Sequence, residues 1–357
     1  MSDIPKTMKA LVAREKNDYR LEDIPVPLCG DDDVLVKTEA CGICASDLKC
    51  FLGADTYWPG EGQTKGVKPP FVPGHECFGT IAKIGKNVER FKPGDRVTAE
   101  QILPCGKCRF CRTGRYWMCQ PHALFGFHCD YNGGMAEYVL YPKNSILHPL
   151  PKAMDAKAAL LIEPYSDAKH AVDRAGIGCE DVVVISGAGA IGLGMITYAR
   201  LKNPAKLIAL DISDERLVKA KEFGADICLN PAKKNAIARV LLLTEGYGCD
   251  IYIDAAGHPS SITQGLHMVR RLGTFVEFSV FAEDATINWS IIGDQKELDI
   301  FGAHLSPYCF PFVIENIQNG KLSTDGVVTK TFPLERWEEA FDAASGKYGD
   351  VKVALTF

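Results

Sequence analysis

Residues 182–211 read VVVISGAGAIGLGMITYARLKNPAKLIALD, and they decide the fold of the second half of the chain. A β-branched run, Val182 to Ile185, leads into a glycine-rich turn, and a helical pattern follows the turn. The turn carries three glycines at G-x-G-x-x-G spacing: Gly187, Gly189 and Gly192. A carboxylate, Asp211, stands at the end of the next apolar run. The glycine triplet alone often marks an ordinary tight turn, but this strand–turn–helix context predicts a dinucleotide-binding turn.

The chemistry of this turn indicates which dinucleotide it binds. Glycines let the backbone approach a pyrophosphate at the N-terminus of the following helix. The Asp211 carboxylate would accept hydrogen bonds from the adenosine ribose hydroxyls and repel a 2′-phosphate, so we expect NAD rather than NADP. The candidate cofactor-binding residues are Gly187, Gly189, Ala190, Ile191, Gly192, Asp211 and Arg216.

The surrounding sequence predicts two domains with different architectures. After residue 181, the apolar runs LIAL, IYIDAAG, TFVEFSVF and LDIFGAH alternate with helical patterns, which is typical of a doubly wound parallel sheet. Before about residue 150, turn residues separate short β-like runs, which favours an irregular barrel-like β domain. These runs are Val34 to Thr38, Gly79 to Ile84, Arg96 to Thr98 and Ala136 to Tyr141.

The segment between these regions is expected to be helical from Ala153 to Gly176, with proline ending or kinking the helix at Glu163-Pro164. We therefore predict an α/β fold with one domain over residues 1–165, completed by 305–357. A doubly wound Rossmann domain is expected over residues 166–304.

Composition excludes several classes of protein. Hydrophobic residues make up 46% of the 357 residues and charged residues 24%, as in an ordinary globular enzyme. The net charge of −5 gives no general attraction to nucleic acid or to an anionic membrane, so neither is an expected partner.

The N-terminal sequence lacks the apolar core of a signal peptide, and no apolar run is long enough to cross a bilayer. We predict a cytoplasmic protein.

Four cysteines lie close together in the segment PCGKCRFCRTGRYWMCQ: Cys105, Cys108, Cys111 and Cys119. Four thiolates in one compact loop can complete a tetrahedral shell around zinc and leave no open position, which is the pattern of a structural site. An iron–sulfur cluster uses similar spacing and is the main alternative, with free thiols as the third interpretation.

A second set of donors suggests an open metal site. Cys44 lies in CGICASD, His75 and Glu76 lie in PGHE, and Glu163 lies in LIEPYS. Catalytic zinc takes three protein ligands and keeps one position for water or substrate. Taken singly, each residue also has a structural interpretation, and the spacing alone does not establish that the four converge.

The order of CGICASD, PGHE, the four-cysteine loop, LIEPYS and SGAGAIG resembles the zinc-containing medium-chain alcohol dehydrogenases over nearly the whole chain. The LIEP element is most similar to the sorbitol and polyol dehydrogenase branch. This resemblance implies a GroES-like β-barrel catalytic domain, one catalytic and one structural zinc ion per chain, and NAD. It also implies a homodimer or homotetramer, for which TFVEFSVF would supply a sheet edge unless it is an ordinary buried strand.

The resemblance also implies roles for individual residues. Cys44, His75 and Glu163 would ligate the catalytic zinc, with Glu76 exchanging into the shell, and Ser46 would take the substrate proton. Lys49 stands where many relatives have a proton-relay histidine. A lysine relays protons only with a depressed pKa, and otherwise it binds a substrate hydroxyl or is solvated.

Three stretches bear on the substrate. Tyr57 and Trp58 lie in a long segment before PGHE and would form a substrate wall or simply pack. His304 is a substrate candidate in GAHLSPYC, where Leu305 and Ser306 replace the Arg-Tyr pair of sorbitol dehydrogenases. The long segment and GAHLSPYC together most resemble erythritol and threitol dehydrogenases. We expect oxidation of a secondary hydroxyl of a short polyol, a tetritol being favoured, to a ketose.

Other functions remain to be distinguished from this one. Dehydrogenases of 2,3-butanediol and L-threonine share the zinc and NAD machinery, although threonine needs a carboxylate anchor that the sequence does not reveal. A non-catalytic zinc- or dinucleotide-binding protein is disfavoured because the ligand set is complete. The negative net charge disfavours a zinc-ribbon nucleic-acid binder.

Overall fold

The computed structural model describes residues 4–58, 66–127, 130–346 and 349–357. Its strands are β1 (Thr7–Glu15), β2 (Asp18–Pro25), β3 (Val34–Ile43), β4 (Glu76–Ile84), β5 (Arg96–Ala99), β6 (Ile102–Leu103), β7 (Ala123–Leu124), β8 (Tyr138–Tyr141), β9 (Leu147–Pro149), β10 (Val182–Ser186), β11 (Lys206–Leu210), β12 (Ile227–Leu229), β13 (Cys249–Asp254), β14 (Val269–Glu277), β15 (Asp299–Gly302), β16 (Val328–Pro333) and β17 (Lys352–Thr356).

The α-helices are α1 (Ala45–Phe51), α2 (Arg109–Arg112), α3 (Ala156–Ala159), α4 (Ile162–Ala175), α5 (Ala190–Leu201), α6 (Asp214–Glu222), α7 (Ala236–Leu243), α8 (Pro259–Met268), α9 (Phe310–Gln318) and α10 (Trp337–Ala344). Short 3-10 helices lie at Tyr116–Met118, Trp289–Ile291 and Leu334–Arg336. No helix in the described ranges combines the length and the apolar character that spanning a bilayer demands.

The chain divides into two compact units. The first comprises Met1–Glu163, Phe310–Ile314 and Thr324–Phe357, and the second comprises Pro164–Cys309 and Glu315–Ser323. This division returns to the first unit later than residue 305. The domain boundaries drawn from the sequence stay predictions.

The second unit contains a six-stranded parallel sheet in the order β12-β11-β10-β13-β14-β15. Its central strands are almost continuously apolar, because both faces of a parallel sheet are covered by helices. The strand order reverses between β10 and β13, which is the switch point of a doubly wound sheet. This confirms the predicted Rossmann half of the α/β fold. β14, from TFVEFSVF, pairs with a strand on each side, so its interpretation as an association edge is wrong.

The first unit contains a seven-stranded, mainly antiparallel sheet in the order β16-β17-β3-β4-β5-β9, with β8 also pairing with β3. β3 is its most connected strand, with β4, β8 and β17 as partners. Gly42, near the end of β3, lies opposite Glu76 at the start of β4. Because β17 runs antiparallel to β3, its first residue also lies at this end. The ends of these three strands therefore meet at one side of the sheet.

The predicted helical break at Glu163-Pro164 is displaced in the structure. α3 ends at Ala159, and α4 begins at Ile162, so Pro164 falls in the first turn of α4 rather than at a break. The first helical turn tolerates proline because its N–H groups have no intrahelical acceptor. The proline therefore helps to begin a helix instead of ending one.

Candidate metal centres and dinucleotide site

Three possible metal ligands come together where β3 ends and β4 begins. Cys44 follows β3 and caps α1, while His75 and Glu76 stand at the entry of β4. Their ligand atoms all lie within 4.8 Å of one another. His75 and Glu76 are buried, at 9% and 2% exposure. The antiparallel pairing of β3 with β4 therefore brings residues about thirty positions apart into one cluster.

Asp47 lies next to this cluster and is completely buried. Its Oδ2 accepts a 2.8 Å hydrogen bond from the backbone N–H of Cys44, and its Oδ1 lies 3.9 Å from Nδ1 of His75. Within the described residues, neither Oδ1 of Asp47 nor Nδ1 of His75 has a hydrogen-bond partner. A carboxylate beside a histidine ring is the arrangement that orients metal-binding histidines.

The electrostatics of the cluster fit a cation. Burial raises the pKa of the Cys44 thiol to about 12, and the neighbouring Glu76 charge adds to this effect. Burial alone would lower the pKa of His75, but the nearby carboxylates of Asp47, Glu163 and Glu76 outweigh it and raise that pKa. Buried acidic groups around a thiol and an imidazole are stabilised by a bound cation, and this donor set suits zinc.

A buried lysine pairs with Glu76. The ammonium group of Lys352, at the start of β17, forms an ion pair with the Glu76 carboxylate and donates a 3.1 Å hydrogen bond to the Ile43 carbonyl. Burial lowers the pKa of Lys352, but the charges of Glu76 and Cys44 outweigh burial and raise it. A Cβ atom on Gly42 would overlap the Glu76 carboxylate, so this ion pair requires glycine there.

Glu163 lies outside the close group of ligand atoms. Its side chain is buried, and its Oε1 accepts a 2.5 Å hydrogen bond from Nε2 of Gln101. Its charge acts on His75 and on Lys352, so it belongs to the same charged region. The geometry thus groups Glu76 rather than Glu163 with Cys44 and His75, while the predicted exchange of these two carboxylates stays a prediction.

A serine and a wall of rings lie beside the cluster. The Ser46 side chain lies close to the Cys44 thiol and to the Tyr57 hydroxyl, and it lowers the pKa of each against the larger effect of burial. The Tyr57 ring stacks on Phe127 at 5.2 Å between centroids, and Phe127 contacts the His75 ring at 5.1 Å. Tyr57 therefore forms a buried aromatic wall next to the candidate ligands.

The remaining substrate candidates have different surroundings. Nε1 of Trp58 donates a 2.7 Å hydrogen bond to the Cys50 carbonyl, which ties this ring to α1. Residues 59–65 of the long segment lie outside the described residues. Lys49 is half-buried in α1, and burial lowers the pKa of its ammonium group despite the opposing effect of Cys44. His304 is exposed and belongs to the second unit, in the loop after β15.

The four-cysteine loop also brings its sulfur atoms together. The Sγ atoms of Cys105, Cys108, Cys111 and Cys119 lie within 4.8 Å of one another. Backbone N–H groups point at the sulfurs, including Cys108 N to Cys105 Sγ and Cys105 N to Cys119 Sγ at 3.3 Å each. N–H donors from Cys111 and Gln120 lower the pKa of Cys108 to about 6. Backbone donors also lower the pKa of Cys105, whereas burial raises the pKa of Cys111 and of Cys119. Four clustered sulfurs, two of them with stabilised thiolates, fit a tetrahedral metal site.

The glycine turn has the shape that a pyrophosphate needs. Gly187 follows β10 with φ of +100°, and a Cβ on Gly192 would collide with the Gly187 carbonyl. Gly189 caps α5, and a Cβ there would meet nothing within 4 Å. The first and third glycines therefore fold the turn, while the second faces open space at a helix N-terminus, as a bound pyrophosphate requires.

Asp211 contacts this turn directly. Its Oδ2 accepts a 2.7 Å hydrogen bond from Ala188 N, and its Oδ1 accepts one of 2.8 Å from Ser213 N. The carboxylate thus connects the end of β11 to the glycine turn. Ala190 and Ile191 form the first turn of α5, and Arg216 lies in α6, immediately downstream of Asp211.

Sequence reasoning assigned no role to four residues that shape these sites: Asp47, Gln101, Phe127 and Lys352. Asp47 had a signal, because it stands three residues after Cys44 at the start of α1, where an acidic side chain caps a helix. Lys352 had none, since a lysine at the start of a strand is usually exposed.

Two regions of the chain match known protein families. Residues 30–152 match the alcohol dehydrogenase GroES-like domain, and residues 190–319 match the zinc-binding dehydrogenases. The erythritol/L-threitol dehydrogenase of Mycolicibacterium smegmatis is 43% identical over 99% of both chains. The sorbitol dehydrogenase of Bacillus subtilis is 32% identical, over 96% of this chain and 94% of the relative.

A solved structure shares the whole architecture. It is a short chain alcohol dehydrogenase from Escherichia coli CFT073 in complex with NADH, with a TM-score of 0.88 and 29% identity. The match covers 99% of this chain and 100% of that one.

Proposed function

The chain belongs to the zinc-binding alcohol dehydrogenase family, and on this premise we propose that it transfers a hydride from a secondary hydroxyl of a short polyol to NAD, giving a ketose. It is an oxidoreductase of the zinc-dependent polyol type. Among short polyols, the tetritols erythritol and threitol are the favoured substrates. The observation that carries the proposal is the buried cluster of Cys44, His75 and Glu76 beside Ser46.

Zinc and NAD each supply one part of the chemistry when bound: a Lewis acid that lowers the pKa of the substrate hydroxyl, and a hydride acceptor. Cys44 and His75 would hold the zinc with one of the two carboxylates, Glu76 or Glu163. Asp47 positions this set through the Cys44 backbone and faces the His75 ring. The pairing of β3 with β4 positions these donors, which lie at or directly beside the ends of the two strands.

Ser46 is the residue we assign to proton removal. Its hydroxyl is adjacent to the Cys44 thiol and to the Tyr57 hydroxyl, so it can accept the substrate proton while releasing its own proton toward solvent. Lys49 is one turn further along α1, and its lowered pKa suits either a relay role or contact with a substrate hydroxyl. The Tyr57–Phe127 wall excludes water on one side.

The second unit would bind NAD through the glycine turn and Asp211. The open space at Gly189 suits a pyrophosphate, and the fixed Asp211 carboxylate would disfavour a 2′-phosphate. Two features support a short substrate: the buried Tyr57–Phe127 wall and the absence of the Arg-Tyr pair at Leu305 and Ser306. The likeness to an erythritol/L-threitol dehydrogenase over nearly the full length adds to this support.

The test is a panel of initial rates of NADH formation on the zinc-loaded enzyme. The panel contains erythritol, both threitols, xylitol, sorbitol, 2,3-butanediol and L-threonine, each measured with NAD and with NADP. We expect the tetritols to give the highest kcat/KM with NAD. Turnover of 2,3-butanediol or L-threonine alone would overturn the polyol assignment, and a preference for NADP would overturn the role of Asp211.

A further inference from the structure

Two carboxyl groups stand side by side at the carboxyl edge of the parallel sheet. Asp254 ends β13 and Glu277 ends β14, and the two residues are register partners. On the other side of Asp254, Ser186 ends β10 in the same register, one residue before the glycine turn. A Cβ on Gly187 would collide with Ala255, the residue after Asp254. The acidic pair therefore adjoins the turn that holds the pyrophosphate.

Each of the two carboxyl groups has one buried oxygen that lacks a hydrogen-bond partner among the described residues. Asp254 is completely buried. Its Oδ2 accepts a hydrogen bond from Gly257 N, and the side chains of Ser261 and Ser279 lie close enough to lower its pKa against the larger effect of burial. Its Oδ1 nevertheless has no hydrogen-bond partner among the described residues. The same holds for Oε1 of the half-buried Glu277. A buried carboxylate oxygen without a donor is costly, so these two oxygens indicate that something else completes the site.

The topology indicates which part of the dinucleotide is nearby. In a doubly wound sheet the two halves of a dinucleotide bind on opposite sides of the switch point, which here lies between β10 and β13. Asp211, which directly follows β11 on one side of the switch point, marks the adenosine half. The nicotinamide half therefore belongs over the carboxyl ends of β13 and β14.

We propose that Glu277, placed beside Asp254, is the residue by which this chain distinguishes oxidised from reduced nicotinamide; this inference rests on the proposed NAD-linked function. The oxidised ring carries a positive charge and the reduced ring carries none. An ionised carboxylate next to the ring stabilises NAD+ and does not stabilise NADH, so it favours cofactor loading in the direction of alcohol oxidation.

The surroundings of Glu277 make this preference depend on pH. Burial and the adjacent Asp254 raise the pKa of Glu277 to about 7, against a weaker opposing effect of the Ser279 backbone N–H. Burial also raises the pKa of Asp254. Glu277 is thus protonated below neutral pH and ionised above it, and NAD+ affinity should rise as pH increases through neutrality.

Several charged groups on the packed elements lie away from this edge, whereas His258, at the start of α8, and His304, in the loop after β15, follow the carboxyl ends of their strands. Arg270, near the amino end of β14, pairs with Asp250 of β13 at 2.5 Å. Asp299 of β15 aligns with Thr274 rather than with Glu277. His267 lies in the last turn of α8, next to the start of β14. Arg271 follows Arg270 at the same end. Asp254 is the charged group whose field raises the pKa of Glu277.

The experiment measures dissociation constants for NAD+, NADH and ADP-ribose by calorimetry from about pH 5.5 to pH 8.5, a range centred on the titration of Glu277. The proteins are the wild type, Glu277→Gln, and the control Glu180→Gln, which removes an exposed carboxylate before β10. In the wild type and the control, the ratio Kd(NADH)/Kd(NAD+) should rise about fivefold between pH 6 and pH 8. In Glu277→Gln the ratio should stay flat, with ADP-ribose binding unchanged.

A second measurement needs no variant. Because NAD+ stabilises the ionised carboxylate, its binding to the wild type near neutral pH should release protons into a weakly buffered solution, whereas ADP-ribose should release none. An unchanged pH slope in Glu277→Gln, or equal proton release with both ligands, would overturn this inference. Failure of ADP-ribose and both dinucleotides to bind would instead overturn the proposed function together with it.

Discussion

Lys352 and Glu76 form an ion pair from which water is excluded, with 5% and 2% of the two residues exposed. The two residues open different strands, β17 and β4, which flank the end of β3. The pair therefore connects the last strand of the chain to the cluster of candidate zinc ligands. It also gives Glu76 a partner that does not depend on metal.

Replacing Lys352 with Met should destabilise the protein strongly, because it leaves the Glu76 charge buried without its partner. The expected loss is about 3–5 kcal/mol of unfolding free energy, measured by urea denaturation. The double variant Lys352→Met/Glu76→Gln should recover much of this loss, since it removes the buried charge as well. Lys9→Met, which breaks an exposed pair with Glu335, is the matched control and should change stability little. Equal effects of the two single variants would contradict the role of the buried pair.

Cys44→Ser should abolish turnover while leaving the fold intact, because it removes a candidate ligand of the open site only. Metal analysis should show about one zinc ion fewer per chain. Circular dichroism and the melting temperature should stay close to those of the wild type. Full activity in this variant would remove Cys44 from the catalytic site.

Cys111→Ser should lower the melting temperature and the zinc content together, because three thiols close a structural shell poorly. The control is Cys179→Ser, which changes an exposed cysteine outside the loop. That substitution should leave both quantities unchanged. If the melting curves of the two variants coincide with the wild type, the loop holds no structural metal.

Asp211→Ala should weaken NAD binding and relax discrimination against NADP. The structure adds a second reason for weaker binding, because Asp211 also accepts the hydrogen bond from Ala188 N within the phosphate turn. Loss of ribose and turn contacts should raise the Kd for NAD about tenfold or more. Asp214→Ala, in the first turn of α6, is the matched acidic control. A cofactor preference that stays the same in Asp211→Ala would refute the role of this carboxylate.

Contiguous patterns allowed much of the fold to be predicted from the sequence. The run VVVIS, the glycine turn and the following helical pattern lie within twenty residues, so periodicity alone indicates the βαβ unit. The four cysteines lie within one loop, and closeness in sequence there ensures closeness in space. The predicted Rossmann sheet and the grouping of these four sulfurs both appear in the structure.

What the sequence did not indicate depends on long-range pairing. Glu76 meets Lys352 only because β3 lies between β4 and β17, and no local pattern specifies that order. Glu163 was predicted as a ligand by resemblance, but its hydrogen bond to Gln101 depends on tertiary packing. Pro164 predicted a break because proline disrupts the interior of a helix. It lies instead in the first turn of α4, where no intrahelical hydrogen bond is lost, and the sequence pattern did not show where that helix begins.

The close approach at Gly42 constrains how this chain can change over evolutionary time. Any side chain at position 42 would displace the Glu76 carboxylate, so that position is closed to ordinary drift while the ion pair with Lys352 exists. A lineage that abandons the pair opens position 42 to larger residues, and one that keeps it must keep glycine. The residues at positions 42, 76 and 352 are therefore expected to covary among relatives.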